Sequence, residues 1–98
     1  MAFIQVIQYK TSKIDEMRKV GEEWEAADGN TATRRVILGK DRDNAGQYFT
    51  LAFFDSFESA MENSNSPKTQ EMSQKMMGLA DGPPTFYNLD VLDDREMG

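Results

Sequence analysis

The stretch Thr31-Ala32-Thr33-Arg34-Arg35-Val36-Ile37-Leu38-Gly39-Lys40-Asp41-Arg42-Asp43-Asn44-Ala45-Gly46-Gln47-Tyr48-Phe49-Thr50-Leu51-Ala52-Phe53-Phe54 decides the fold. Thr31 to Lys40 is rich in Thr, Val and Ile, and Gln47 to Phe54 is dense in aromatic and aliphatic residues; both compositions suit a pleated, half-buried backbone. Between them Asp41-Arg42-Asp43-Asn44-Ala45-Gly46 is polar and ends in glycine, which is hairpin chemistry. The pattern predicts two adjacent antiparallel strands.

Helical periodicity flanks this hairpin on both sides. Upstream, Ile14, Met17, Val20, Gly21, Trp24 and Ala27 recur at helical spacing, Ser12 stands three residues before Asp15 as a variant capping box, and Asp28-Gly29-Asn30 supplies the stop. Ahead of that helix, Ala2 to Lys10 alternates as a first strand. Downstream, Asp55 or Ser56 caps a short helix carrying Phe57, Ala60 and Met61, which runs into Asn63-Ser64-Asn65. Ser66 then caps a second helix with Pro67 at its first position, where the missing N–H costs nothing. Met72, Met76 and Leu79 form its apolar stripe, Asp81-Gly82-Pro83-Pro84 ends it, and Phe86 to Leu92 alternates as the last strand before a frayed acidic tail, residues 93–98. The order β-α-β-β-α-β, with the second helix broken in two, is the ferredoxin-like α+β sandwich: one four-stranded antiparallel sheet with helices on one face. A single domain over residues 1–98 is expected, with an ordered core of about 2–92.

Composition narrows the chemistry. The 98 residues contain neither histidine nor cysteine, so imidazole bases, thiolate nucleophiles and the commonest haem and zinc ligands are missing. No metal and no cofactor are expected. Eleven basic against seventeen acidic residues give a net charge of −6, which repels nucleic acid and anionic membrane surfaces. With no basic leader or signal-like apolar run, the expected location is cytoplasmic. The segment from Asp41 imitates the start of a calcium loop, but its twelfth position is Ala52 rather than glutamate, and it joins strands rather than helices.

Alternation divides the sheet residues into two sets. Ile4, Val6, Val36, Leu38, Phe49, Leu51, Phe53, Tyr87, Leu89 and Val91 are expected under the helices, as the more apolar set. Phe3, Gln5, Ile7, Tyr9, Thr33, Arg35, Ile37, Tyr48, Thr50, Ala52, Phe54, Phe86, Asn88 and Asp90 then share the other face, and a one-residue register shift exchanges the two sets. That other face carries too many large aromatic and aliphatic side chains for water, so something covers it: a homodimer partner, or a partner together with a small-molecule pocket.

Tyr48 through Met61, followed by Ser66-Pro67, and the ending Asp81-Gly82-Pro83-Pro84-Thr85-Phe86-Tyr87-Asn88-Leu89-Asp90-Val91, resemble the antibiotic biosynthesis monooxygenase group of the dimeric α+β barrel superfamily. The resemblance implies a homodimer through sheet faces, with a pocket at the interface or between sheet and helices. Some members it resembles are oxygenases without metal or flavin, which remove a proton from an electron-rich phenol and let the carbanion meet O₂. Haem-degrading relatives place a helical histidine just after the Ser-Pro pair, where this chain has Lys68 and Thr69.

That chemistry needs a base and donors for a developing oxyanion. Asp90 is the candidate base, because burial in a semi-apolar cavity raises a carboxyl pKa. Tyr48 and Arg35 are candidate catalytic donors. Gln5, Tyr9, Thr50, Phe54 and Asn88 on the sheet, with Trp24, Met72 and Met76 on the helices, are candidate ligand contacts, although helix-stripe Trp and Met residues are usually core filler. The expected function is a cofactor-independent monooxygenase or proton-transfer enzyme on a small aromatic or quinonoid molecule. A homodimer that binds a small hydrophobic ligand without turning it over is the alternative.

Overall fold

Phe3–Lys10 (β1), Thr33–Lys40 (β2), Gln47–Phe54 (β3) and Thr85–Asp90 (β4) form one antiparallel sheet in the order β2-β3-β1-β4. The structure is a computed structural model describing residues 2–26 and 32–97. Its helices are Ile14–Ala26 (α1), Phe57–Asn65 (α2) and Pro67–Leu79 (α3), on one face of the sheet as the element order predicts. The expected stop at Asp28-Gly29-Asn30, with Ala27 and Thr31, lies outside the described residues.

Local chemistry sets most element ends. Ser56 caps α2 by accepting a 3.1 Å hydrogen bond from Ser59 N, and Pro67 opens α3 as expected. The start of α1 differs from the capping-box expectation: Lys13 O accepts from Met17 N, and Thr11 rather than Ser12 ties the loop. Thr11 Oγ1 accepts from Lys13 N at 2.9 Å and donates to Leu79 O at 2.7 Å, so one buried hydroxyl joins the entry of α1 to the exit of α3. β4 begins one residue before the predicted Phe86 and ends at Asp90, although Val91 N still bonds Ala2 O. The hairpin turns on Gly46, whose φ of 81° is a left-handed conformation that glycine adopts without steric cost. Asp41 braces it by accepting from Asp43 N, Asn44 Nδ2 and Gln47 Nε2.

The two sheet faces are exchanged relative to the expectation. Phe3 and Phe54 are buried with Ala60 of α2, and Phe3 meets Phe57 edge to face at 5.4 Å, so the Phe3 set lies under the helices. Ile4, Val6, Phe49, Leu51, Phe53, Tyr87 and Leu89 form the open face. On β2 the exchange is incomplete. Thr33 pairs with Phe54 and Arg35 with Phe53, so Arg34 is an extra bulge residue. Val36 and Leu38 therefore stay with the helix-side set through Ala52 and Thr50, while Arg35 and Ile37 join the open face. Arg34 Nε and Nη2 both donate to Asp55 Oδ2, at 2.9 and 2.6 Å, pinning the bulge to the β3–α2 turn.

The core of a single chain is thin. Among the described residues the buried apolar side chains are Phe3, Met17, Trp24, Phe54 and Ala60. α2 packs on β1, β2 and β3, whereas α1 and α3 pack on each other. Among the described residues no helix is long and apolar enough to cross a membrane.

Candidate functional site

The helix-side sheet face changes character along the strands. At the Phe3 end it is dry and closed by α2. Toward the other end, Gln5 sits between Ala52 and Asn88, Ile7 between Thr50 and Phe86, and Tyr9 opposite Tyr48. Gln5, Ile7, Tyr9, Tyr48 and Thr50 are only half-buried although they face the helices, so this end of the face is not packed shut.

Tyr9, Thr50 and Tyr48 form its polar focus. The Tyr9 hydroxyl and Thr50 Oγ1 are hydrogen-bonded at 3.0 Å, and the Tyr9 and Tyr48 rings stack with centroids 6.2 Å apart and planes 27° apart. Burial pushes the Tyr9 hydroxyl above its ordinary pKa; the bond to Thr50 pulls it partly back, and Tyr48 adds to the rise. At neutral pH Tyr9 is thus a neutral phenol, able to donate to an anionic oxygen. Beside it, at the strand ends, a depression of about 190 Å³ is lined by Tyr9, Gln47 and the Asp81-Gly82-Pro83 loop, which is tied down by Asp81 N donating to Lys10 O at 2.8 Å.

The sequence-predicted site residues fall into three places. Tyr48, Tyr9, Thr50, Gln5, Asn88, Asp90 and Phe54 share one face, as the alternation predicted, but it is the helix-side face and not the open one. Within it, Phe54 is a core residue, and Asn88 and Asp90 are exposed on the edge strand β4, so the single chain gives Asp90 no apolar enclosure. Arg35 is separated from this group by the β2 bulge and lies on the opposite face, its guanidinium 5.7 Å from the Phe53 ring centroid. Trp24, Met72 and Met76 belong to the α1–α3 seam. Trp24 and Met72 line a depression there of about 200 Å³, and a methyl group at Gly21 would meet Met76 Cε at 3.9 Å.

The same seam holds a polar chain that the sequence did not signal. Buried Thr69 accepts from Trp24 Nε1 at 3.1 Å, and its hydroxyl donates to Asn63 Oδ1 at 3.3 Å. The segment just after Ser66-Pro67 is here used to fix the indole of Trp24. Period and composition mark Trp24 as core but cannot pair it with a threonine 45 residues away.

No family model and no curated protein sequence matches the chain. Solved structures do. SnoaB from Streptomyces nogalater, a cofactor-independent oxygenase, superposes with a TM-score of 0.78 at 14% identity, covering 95% of both chains. The fold is shared with the antibiotic biosynthesis monooxygenase structures. A Caulobacter crescentus CB15 protein carrying that group's name gives a TM-score of 0.80 at 18% identity over 94% of this chain and 91% of its own. One from Chloroflexus aurantiacus J-10-fl gives 0.76 at 12% over the whole of both chains.

Proposed function

We propose that the chain is a cofactor-independent, monooxygenase-like enzyme that acts on a small aromatic or quinonoid molecule and works as a homodimer. The observation that carries this reading is the Tyr9–Thr50–Tyr48 cluster on the unclosed end of the helix-side face, in a fold shared with a cofactor-independent oxygenase. The substrate ring lies against Tyr48, and the neutral Tyr9 hydroxyl, oriented by Thr50, donates to the oxygen on which negative charge develops. The benzylic proton passes to Asp81, which lines the depression beside Tyr9; Asp90, opposite Phe3 and about 20 Å from Tyr9 along β1, is too far to take it. The resulting carbanion reduces O₂ to a bound hydroperoxide, and loss of water leaves a carbonyl. Overall a CH₂ and O₂ become C=O and H₂O, so the substrate supplies all the electrons. Arg35, on the open face, takes no part in this cluster.

The test is oxygen uptake with an anthrone. Consumption of one O₂ per carbonyl formed, lowered at least about tenfold by Asp81→Asn and by Tyr9→Phe, is expected. Uptake unchanged in both variants overturns the site. The exposure of Asp81 favours a second reading, a homodimer that binds the same class of molecule without turnover; saturable quenching of Trp24 or tyrosine emission with no product supports that instead.

A further inference from the structure

Asp81 is exposed, so its carboxylate stands where its backbone puts it. On its far side that backbone is free to turn, because Gly82 adopts φ 133°, a conformation L side chains rarely take. On its near side the chain is held firmly. Leu79 is the last residue of α3, and its carbonyl is one of those a helix end leaves without an intrahelical partner. Thr11 supplies the partner. Only 3% exposed, it donates from Oγ1 to Leu79 O at 2.7 Å and accepts from Lys13 N at 2.9 Å. Asp81 N in turn donates to Lys10 O at 2.8 Å, and Thr11 N donates to Gly46 O at 3.0 Å, next to Gln47. Two consecutive residues at the end of β1 therefore hold two walls of the depression beside Tyr9: residues 79–81 on one side, Gly46 and Gln47 on the other.

We propose that Thr11 is a positioning residue for the proton-transfer step, its hydroxyl holding the Leu79 carbonyl and thereby setting where the Asp81 carboxylate stands relative to Tyr9. The inference rests on the enzyme reading above and deepens it. A carbon acid gives up its proton readily only to a base already within reach, and a displacement of about 1 Å costs about a hundredfold. Without the hydroxyl, the Leu79 carbonyl has to turn toward water, and Asp81, two residues on, moves with it. Thr11 takes no proton itself. The substrate C–H proton passes to a carboxylate oxygen of Asp81, and the electron pair stays on the substrate.

Oxygen uptake with an anthrone is measured for the full chain, for Thr11→Val, which keeps the shape, and for Thr11→Ser, which keeps the hydroxyl. Thr11→Val is expected to lower kcat at least about tenfold with KM changed less than about twofold, and Thr11→Ser to stay within about threefold of the native kcat. Because the effect runs through Asp81, Thr11→Val added to Asp81→Asn is expected to lower kcat no further. Asp81→Glu changes an exposed side chain, advances the carboxylate by one methylene, and is expected to lose about tenfold, which tests the same placement if Thr11→Val fails to fold. Thr11→Val with the native kcat, a further loss on top of Asp81→Asn, or a fully active Asp81→Glu overturns the positioning role and leaves the enzyme reading standing. A native chain that takes up no O₂ overturns both.

Discussion

Thr69 shows how one hydroxyl can hold a seam together. It is buried, and it satisfies Trp24 Nε1 while donating to Asn63, so α1, α2 and α3 meet at one atom. Thr69→Val keeps the shape and removes the acceptor, leaving the indole N–H buried without a partner. The expected cost is about 1–3 kcal/mol in urea unfolding, with a shift in the emission of the single tryptophan. Tyr9 makes a second prediction at this scale. Its raised pKa means the folded state keeps the phenolic proton longer than the unfolded chain. The stability this reflects is fully present below about pH 10, the ordinary tyrosine value, and is lost as pH rises through the folded pKa. Unfolding followed between pH 9 and 11 should show stability falling, and Tyr9→Phe should flatten that slope. The carboxylates behave oppositely: hydrogen bonds from Arg34 to Asp55, and from Asn44 and the Asp43 N–H to Asp41, lower their pKa values, so their contributions are lost on acidification.

At the scale of elements, turns and caps carry the fold. Gly46 sits at φ 81°, and a Cβ there would meet Thr11 O at an ordinary 3.7 Å, so the cost of Gly46→Ala is conformational. About 1–2 kcal/mol is expected from thermal or urea unfolding. Ser56→Ala removes the α2 cap and should cost about 1 kcal/mol by the same measurement. These elements were legible in the sequence because their signals are local: an Asp-to-Gly hairpin, a serine before an apolar stripe, a proline at a helix start. Which sheet face lies inward was not. Phe3 and Phe54 compete with Leu51 and Phe53 in an alternation that is apolar on both sides, and period two cannot rank two apolar faces. The bulge at Arg34 was equally silent, and it is what parts Arg35 from Tyr48 and Thr50. Tyr9, Thr50, Gln5 and Tyr48 were grouped correctly because alternation within an unbulged strand pair survives an exchange of faces.

For the whole molecule, the decisive quantity is apolar surface that one chain leaves uncovered. Ile37, Tyr87 and Leu89 on the open face are 37%, 46% and 47% exposed, beside Ile4, Val6, Phe49, Leu51 and Phe53, and contiguous patches of this kind mark an interface. In the proposed homodimer a second copy applied face to face would bury them and couple folding to association. The melting temperature must then rise with protein concentration, because mass action favours the associated state. Each tenfold increase contributes about 1.4 kcal/mol per dimer, or about 0.7 per chain. With the usual unfolding entropy of a domain this size, that is about 3 °C per decade of concentration. Leu51→Asp places a charge in the middle of the patch, paired with Ile37 and Val6 and without a basic partner in those pairs. It should abolish the concentration dependence and give a monomer by sedimentation, with helical circular dichroism retained if α2 and the Phe3–Phe54 cluster suffice to hold one chain. A wild-type melting temperature that is flat from 1 to 100 μM would show instead that the open face is tolerated in water, and the dimer would have to be abandoned.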